Sequence, residues 1–213
     1  GSEMCIRDRY GNWRLVNGIE LYNTKYDPGQ KNNIINENKH IANEMQKFYD
    51  DWWEDASKEF KYSYIDILPN ITNTITAHDV QVNSITAWDQ SVIRKGIPYE
   101  LGKFNVDFKK SGEYKITLRR WPKESNLNLR DSIDDYIPAK KYWDQQLSGK
   151  SMNIVSAFIK IGDKEYKVDL SENFKSASIN IDINSGKTSL EPGFILDNGQ
   201  TSIAFYTDID FLF

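Results

Sequence analysis

The chain has 213 residues, 39% of them apolar and 27% charged, with a formal net charge of -4. This is an ordinary globular composition, long enough for one generous domain or two small ones. The negative balance leaves no basic footprint for nucleic acid, and no apolar run approaches the roughly 18 residues of a membrane span.

Twelve Tyr, ten Phe and six Trp make the chain rich in aromatics, which favours β structure; most are expected in the core, and some such rings form sugar-binding surfaces. The single cysteine, Cys5, excludes an internal disulfide framework and a Cys-rich zinc site. It lies in GSEMCIRDR, residues 1–9, which resembles a translated adapter scar and is set aside as a non-native end.

In chain order, the first element is a hairpin over 12–22. Asn17-Gly18 lies between two short apolar runs and supplies the positive φ angles of a two-residue type I′ turn. That register pairs Val16 with Ile19 and Trp13 with Tyr22. Asp27-Pro28-Gly29 then turns the chain, with Asp27 placed to accept from the following amides.

From 34 to 60 the apolar residues Ile34, Ile41, Met45, Phe48, Trp52, Ala56 and Phe60 follow the spacing of one helix face. A hairpin with one helix buries little, so this stripe calls for another body to pack on.

A domain boundary is placed near 61, where KYSYIDILPN changes the pattern to β. Strands are expected where Phe104, Val106 and Phe108 alternate with polar residues, and again at Tyr114, Ile116 and Leu118. Further strands are expected over 155–161, 166–170, 177–183 and 202–213. Eight or more short strands with turns between them imply a β-sandwich, jelly-roll-like. The polar stretch 121–149 interrupts the rhythm, and its Tyr136, Tyr142 and Trp143 imply packing on another surface. The expected organisation is α+β: a non-native end at 1–9, a hairpin-and-helix subdomain at 10–60 and an all-β sandwich at 61–213.

No self-contained catalytic signature is present, neither a phosphate-cradling glycine loop nor a nucleophile elbow. Of the two histidines, His40 falls on the helix surface. His78 stands beside Asp79 at a strand end, where the pair can either orient a substrate or simply close a loop. The carboxylate pairs at 50–51, 134–135 and 208/210 lack the ligand spacing of a hard-cation site. Trp88, Asp89 and Gln90 combine a ring with short polar groups, which suits either sugar stacking or a core plug. Arg119 and Arg120 add cations suited to sulfate or carboxylate groups on a polymer, but by alternation Arg120 shares the inward face of Leu118 and is expected to pair with an acid at the sheet edge. Asn70-Ile71-Thr72 is a glycosylation sequon by letter.

The run WRLVNGIELYNTKYDPGQKNNI followed by YDDWW resembles the end of the catalytic domain of formylglycine-dependent sulfatases, through residues 14–18, 20–22 and 27–30. The rest resembles a C-terminal extension of some bacterial arylsulfatases. That resemblance runs through His78-Asp79, 88–90, 112–114 and 118–124, with Val80 where Trp is expected.

The resemblance implies a sulfuric ester hydrolase, periplasmic or secreted, acting on sulfated carbohydrate or aryl esters. Its formylglycine nucleophile and its calcium would lie in a missing N-terminal catalytic domain of the same polypeptide. This chain would then be catalytically silent by itself and would buttress that domain. His78, Asp79, Trp88 and Gln90 are the candidates for contact with a sulfated glycan. The alternative is a stand-alone carbohydrate-binding sandwich without catalysis.

Overall fold

The computed structural model describes residues 7–59, 63–80, 87, 90–135 and 148–213. The chain divides into two compact units, Gly1–Ser63 and Tyr64–Phe213. Each has its own apolar cluster. Among the described residues no helix is long and apolar enough to cross a membrane.

The first unit is a three-stranded antiparallel sheet carrying one helix. Its strands are β1 (Arg7–Tyr10), β2 (Trp13–Val16) and β3 (Glu20–Asn23), with β2 in the middle, and its helix is α1 (Lys39–Ser57). The sheet thus takes in residues 7–9 of the segment set aside at the sequence level.

Asn17 and Gly18 both have positive φ, 52° and 71°, and Ile19 N–H donates to the Val16 carbonyl at 3.1 Å, as a type I′ turn requires. The expected register is nevertheless one residue off. Val16 faces Glu20 and Trp13 faces Asn23, so Ile19 is left outside the ladder. The reason is burial: this register sets Leu15 opposite Leu21, both nearly inaccessible, on one face. Gly18 suits this turn because of its positive φ; a Cβ there would only push aside the flexible end of the Gln46 side chain of α1.

After β3, Asp27 closes the turn by accepting from the amides of Lys31 and Asn32, both at 2.8 Å. Asn33 then fastens the chain to β3, accepting from Leu21 N–H at 3.0 Å and donating to the Ile19 carbonyl.

Helix α1 is shorter than the expected 34–60 span. Ile34 lies before it, donating its N–H to the Leu21 carbonyl, and Phe60 lies outside the described residues. Ala42 and Met45 pack on Leu15 and Leu21, with Trp13, Ile35 and Ile41 around them. The expected stripe continues beyond this contact without being buried. Phe48 is 73% exposed, Trp52 53% and Trp53 44%. The helix also lacks an acidic first turn, a basic last turn and a side-chain cap, so its own electrostatics do little to hold it.

The second unit is a sandwich of two sheets, mainly β as its alternation implies. One sheet has the order β10-β7-β13-β5, from Ala177–Ile183, Gly112–Arg119, Tyr206–Phe211 and Asn73–Thr76. The other has the order β4-β6-β11-β8-β9, from Ile65–Ile67, Phe104–Phe108, Gly186–Leu196, Ile154–Ile161 and Lys164–Asp169, with β12 (Thr201–Ile203) also paired to β11. All its pairs are antiparallel except β4 with β6. Inward residues from both sheets form one core, including Ile116, Leu118 and Ile209 from the first and Val106, Ile159 and Phe194 from the second.

The longest strand, β11, was not expected from the sequence, because Pro192 and Gly193 break its pattern. Pro192 is tolerated since one edge of β11 pairs with β6 up to Leu190 and with β12 from Gly193. Pro192 sits at that seam, where its carbonyl accepts from Ala204 N–H at 3.0 Å and no strand needs its missing donor. Gly193 leaves room for the Phe158 ring and Leu101, which occupy the space of a Cβ.

Within 121–149, Trp121 and Leu129 are buried in the sandwich core, Lys123–Ser125 forms a single 3-10 turn, and Ile133 bridges Gly149. Tyr136, Tyr142 and Trp143 lie outside the described residues.

Candidate functional site

Strand β5 ends in a tight turn whose side chains are dictated by local hydrogen bonding. Asp79 N–H donates to the Thr76 carbonyl at 2.9 Å. The Asp79 carboxylate accepts from the Thr76 amide at 3.2 Å and its hydroxyl at 3.0 Å. Asp79 therefore serves the turn. On either side Ala77 and Val80 go into the core, which leaves His78 exposed at the tip. Ala77 N–H donates to the Phe205 carbonyl at 2.9 Å, binding the turn to the start of β13.

Helix α2 (Gln90–Arg94) lies on the other side. Its Ile93 and Arg94 are buried, and Gln90 remains exposed at its first position. Together these elements enclose a cleft of about 280 Å³ whose lining includes His78, Gln90, Ala87, Ile93, Phe205 and Tyr206. His78 and Gln90 thus line one cleft, whereas Asp79 is held by Thr76, itself a lining residue, and is not part of the lining. Trp88 and Asp89 lie outside the described residues.

Phe205 and Tyr206 escaped sequence reasoning. They come from the far end of the chain and reach the cleft only because β13 pairs with both β5 and β7, placing Tyr206 opposite Thr76 and Arg119. Burial raises the Tyr206 phenol pKa, and the Glu124 carboxylate adds to the rise, so the hydroxyl keeps its proton.

Arg119 and Arg120, at the end of β7, are both committed elsewhere. Arg119 pairs with Asp208, which also accepts from the Thr74 hydroxyl at 2.8 Å. Arg120 does not take an acid at the sheet edge as expected. It is fully buried and donates to the carbonyls of Ile93 at 3.1 Å, Asp131 at 3.1 Å, Leu129 at 3.4 Å and Lys150 at 2.5 Å. Desolvation pulls its pKa down to about 10, and the nearby Asp131 charge partly opposes the fall; the group is still cationic at neutral pH. Alternation gave its inward direction correctly. Its partners come from α2 and from three loop positions that no pattern in the sequence connects.

In the first unit, a second and larger cavity of about 570 Å³ runs between the sheet and α1, lined mostly by apolar side chains including Tyr10, Trp13, Ile41, Met45 and Phe48. His40 lies at its edge. The exposed stripe of α1 continues from it into a ring cluster, where Tyr49 stacks on Trp53 at 6.2 Å and 13° and Trp52 tilts against both.

Among the described residues, no three His, Cys, Asp or Glu side chains come together as a metal site.

No family model matches the chain, and no curated protein matches it. Among solved structures, a ruminal GH26 endo-beta-1,4-mannanase aligns over 71% of this chain and 27% of its own length, at 14% identity and a TM-score of 0.37. The chain spans little more than a quarter of that protein, and a likeness of this size carries no argument.

Proposed function

We propose that this chain is the C-terminal part of a formylglycine-dependent sulfatase. In this reading the sheet-and-helix unit docks on a catalytic body and the sandwich contributes its cleft to the sugar of a sulfated substrate. One observation carries the docking part. Helix α1 buries only Ala42 and Met45 in its own unit and leaves Phe48, Trp52 and Trp53 in solvent beside an apolar groove. A contiguous aromatic face on a helix with weak electrostatics of its own is characteristic of an interface. The Arg-Leu-Val-Asn-Gly and Asp-Pro-Gly-Gln runs supply the identity of the partner, through the resemblance they carry.

The sulfate-cleaving groups, a formylglycine and a calcium, would belong to that catalytic body. Here the chain's residues hold the interface and meet the substrate. The test is to read the gene upstream for a Cys/Ser-x-Pro/Ala-x-Arg motif and to assay the longer product on 4-nitrophenyl sulfate. Activity in the longer product that falls in a Phe48→Asp/Trp52→Asp variant supports the proposal. An unrelated upstream domain, or a longer product without sulfatase activity, sinks it.

A second reading, a carbohydrate-binding sandwich without catalysis, is favoured by the cleft itself. Its alkyl floor and mixed donor-acceptor rim suit a sugar whether or not an enzyme is attached. Glycan binding by the chain together with an unrelated upstream sequence would select it.

A further inference from the structure

We infer that the cleft at His78, Gln90 and Tyr206 takes an uncharged sugar unit, so that any sulfate on the glycan is read elsewhere. This rests on the glycan-contact reading above and adds the charge of the unit that is bound.

The argument begins with the shape of the lining. Ala87 offers alkyl surface and Tyr206 ring surface, above the buried Ala77, Ile93 and Phe205. Around them stand an exposed imidazole, an exposed carboxamide and a phenol that keeps its proton. A pyranose presents the complementary surface, with C–H faces that pack on carbon and a rim of hydroxyls that both donate and accept. Gln90 can do both from one side chain, and Tyr206 and His78 can each do either.

Charge narrows the ligand further. Among the described residues, none that lines this cleft is a lysine, arginine, aspartate or glutamate. The Arg119 guanidinium, opposite Tyr206 on the sheet, is already neutralised by Asp208. The Arg120 guanidinium faces inward onto four carbonyls, and that of Arg94, on α2 beside Ile93, is on a buried residue and donates to the Asp134 carbonyl. From the described residues, a sulfate or carboxylate seated here would lose water without gaining a fixed opposite charge, an unfavourable exchange. A neutral unit loses only hydroxyl hydration, which the rim replaces.

The test uses the full chain on an array of oligosaccharides printed as matched pairs, each sulfated glycan beside its desulfated counterpart. Hits are then measured by calorimetry. The expected result is binding to both members of a pair with similar affinity, lost by about tenfold in Gln90→Ala, as removal of one well-made hydrogen-bonding group should give. Tyr206→Phe, which removes only the hydroxyl, should show a smaller loss in the same direction. Gln90 is exposed, so circular dichroism should show an unchanged fold. Binding confined to the sulfated members would overturn the inference while leaving glycan contact intact. Binding unchanged in both variants would remove the cleft from the site, and binding to no pair would remove the glycan reading as well.

Discussion

The Arg120 guanidinium lies 4.4 Å from the centre of the Trp121 ring while donating to the carbonyls of Ile93, Leu129, Asp131 and Lys150. One side chain thereby ties the end of β7 to α2 and to both ends of the long excursion. A lysine has a charge but no planar fork, so it cannot serve these acceptors or stack in the same way. Arg120→Lys is expected to cost about 3 kcal/mol, since it strands buried carbonyls. Urea unfolding measures this directly. A loss below about 0.5 kcal/mol, the usual size for a surface change, would show that the carbonyls find other partners.

The exposed end of α1 predicts the opposite behaviour. Phe48→Asp should change the stability of this chain by no more than about 0.5 kcal/mol, because the ring is in solvent. A buried phenylalanine would cost about 3–5 kcal/mol even on truncation to alanine. The same variant should reduce self-association in light scattering, since it interrupts the aromatic face.

Gly193 makes a steric prediction. A Cβ there would sit on the Phe158 ring edge and against Leu101, on a central strand with little room to shift. Gly193→Ala should destabilise the sandwich by about 1–3 kcal/mol through overpacking. A melting temperature at or above that of the parent would show that the Phe158 ring swings clear.

Asp27 gives the pH dependence. The amides of Asn32 and Lys31, in that order, hold its carboxyl below the ordinary value of 3.8. The folded state therefore binds fewer protons here than the unfolded state. The stabilising contribution is complete above the unfolded value and disappears as pH falls through the folded one. Carbon-detected NMR titration should place the Asp27 midpoint below 3.8; a midpoint at or above it would mean that the turn is not formed in solution.

Much of the sandwich was legible because Phe104, Val106 and Phe108, and later Tyr114, Ile116 and Leu118, are inward residues with polar ones between. Alternation failed at β11, where Pro192 and Gly193 read as punctuation although both fit a seam between neighbours. The hairpin turn was also readable, but its register was not. Asn17-Gly18 fixes the turn angles, whereas the alignment is decided by which leucines go under α1. At the cleft, His78 and Gln90 could be named from local composition. Phe205 and Tyr206 could not, since only a strand pairing about 130 positions long in sequence brings them there.

One feature of the sheet orders bears on how the protein is made. Strand β11, at Gly186–Leu196, lies between β6 and β8, and β13, at Tyr206–Phe211, lies between β7 and β5. Both inner strands are thus synthesised after the strands that flank them. A nascent chain leaving the ribosome would carry two split sheets, with unpaired edges facing the gaps, until these last segments emerge. Such edges recruit other chains. A stall or premature stop near residue 200 should therefore yield an aggregating product rather than a smaller folded one.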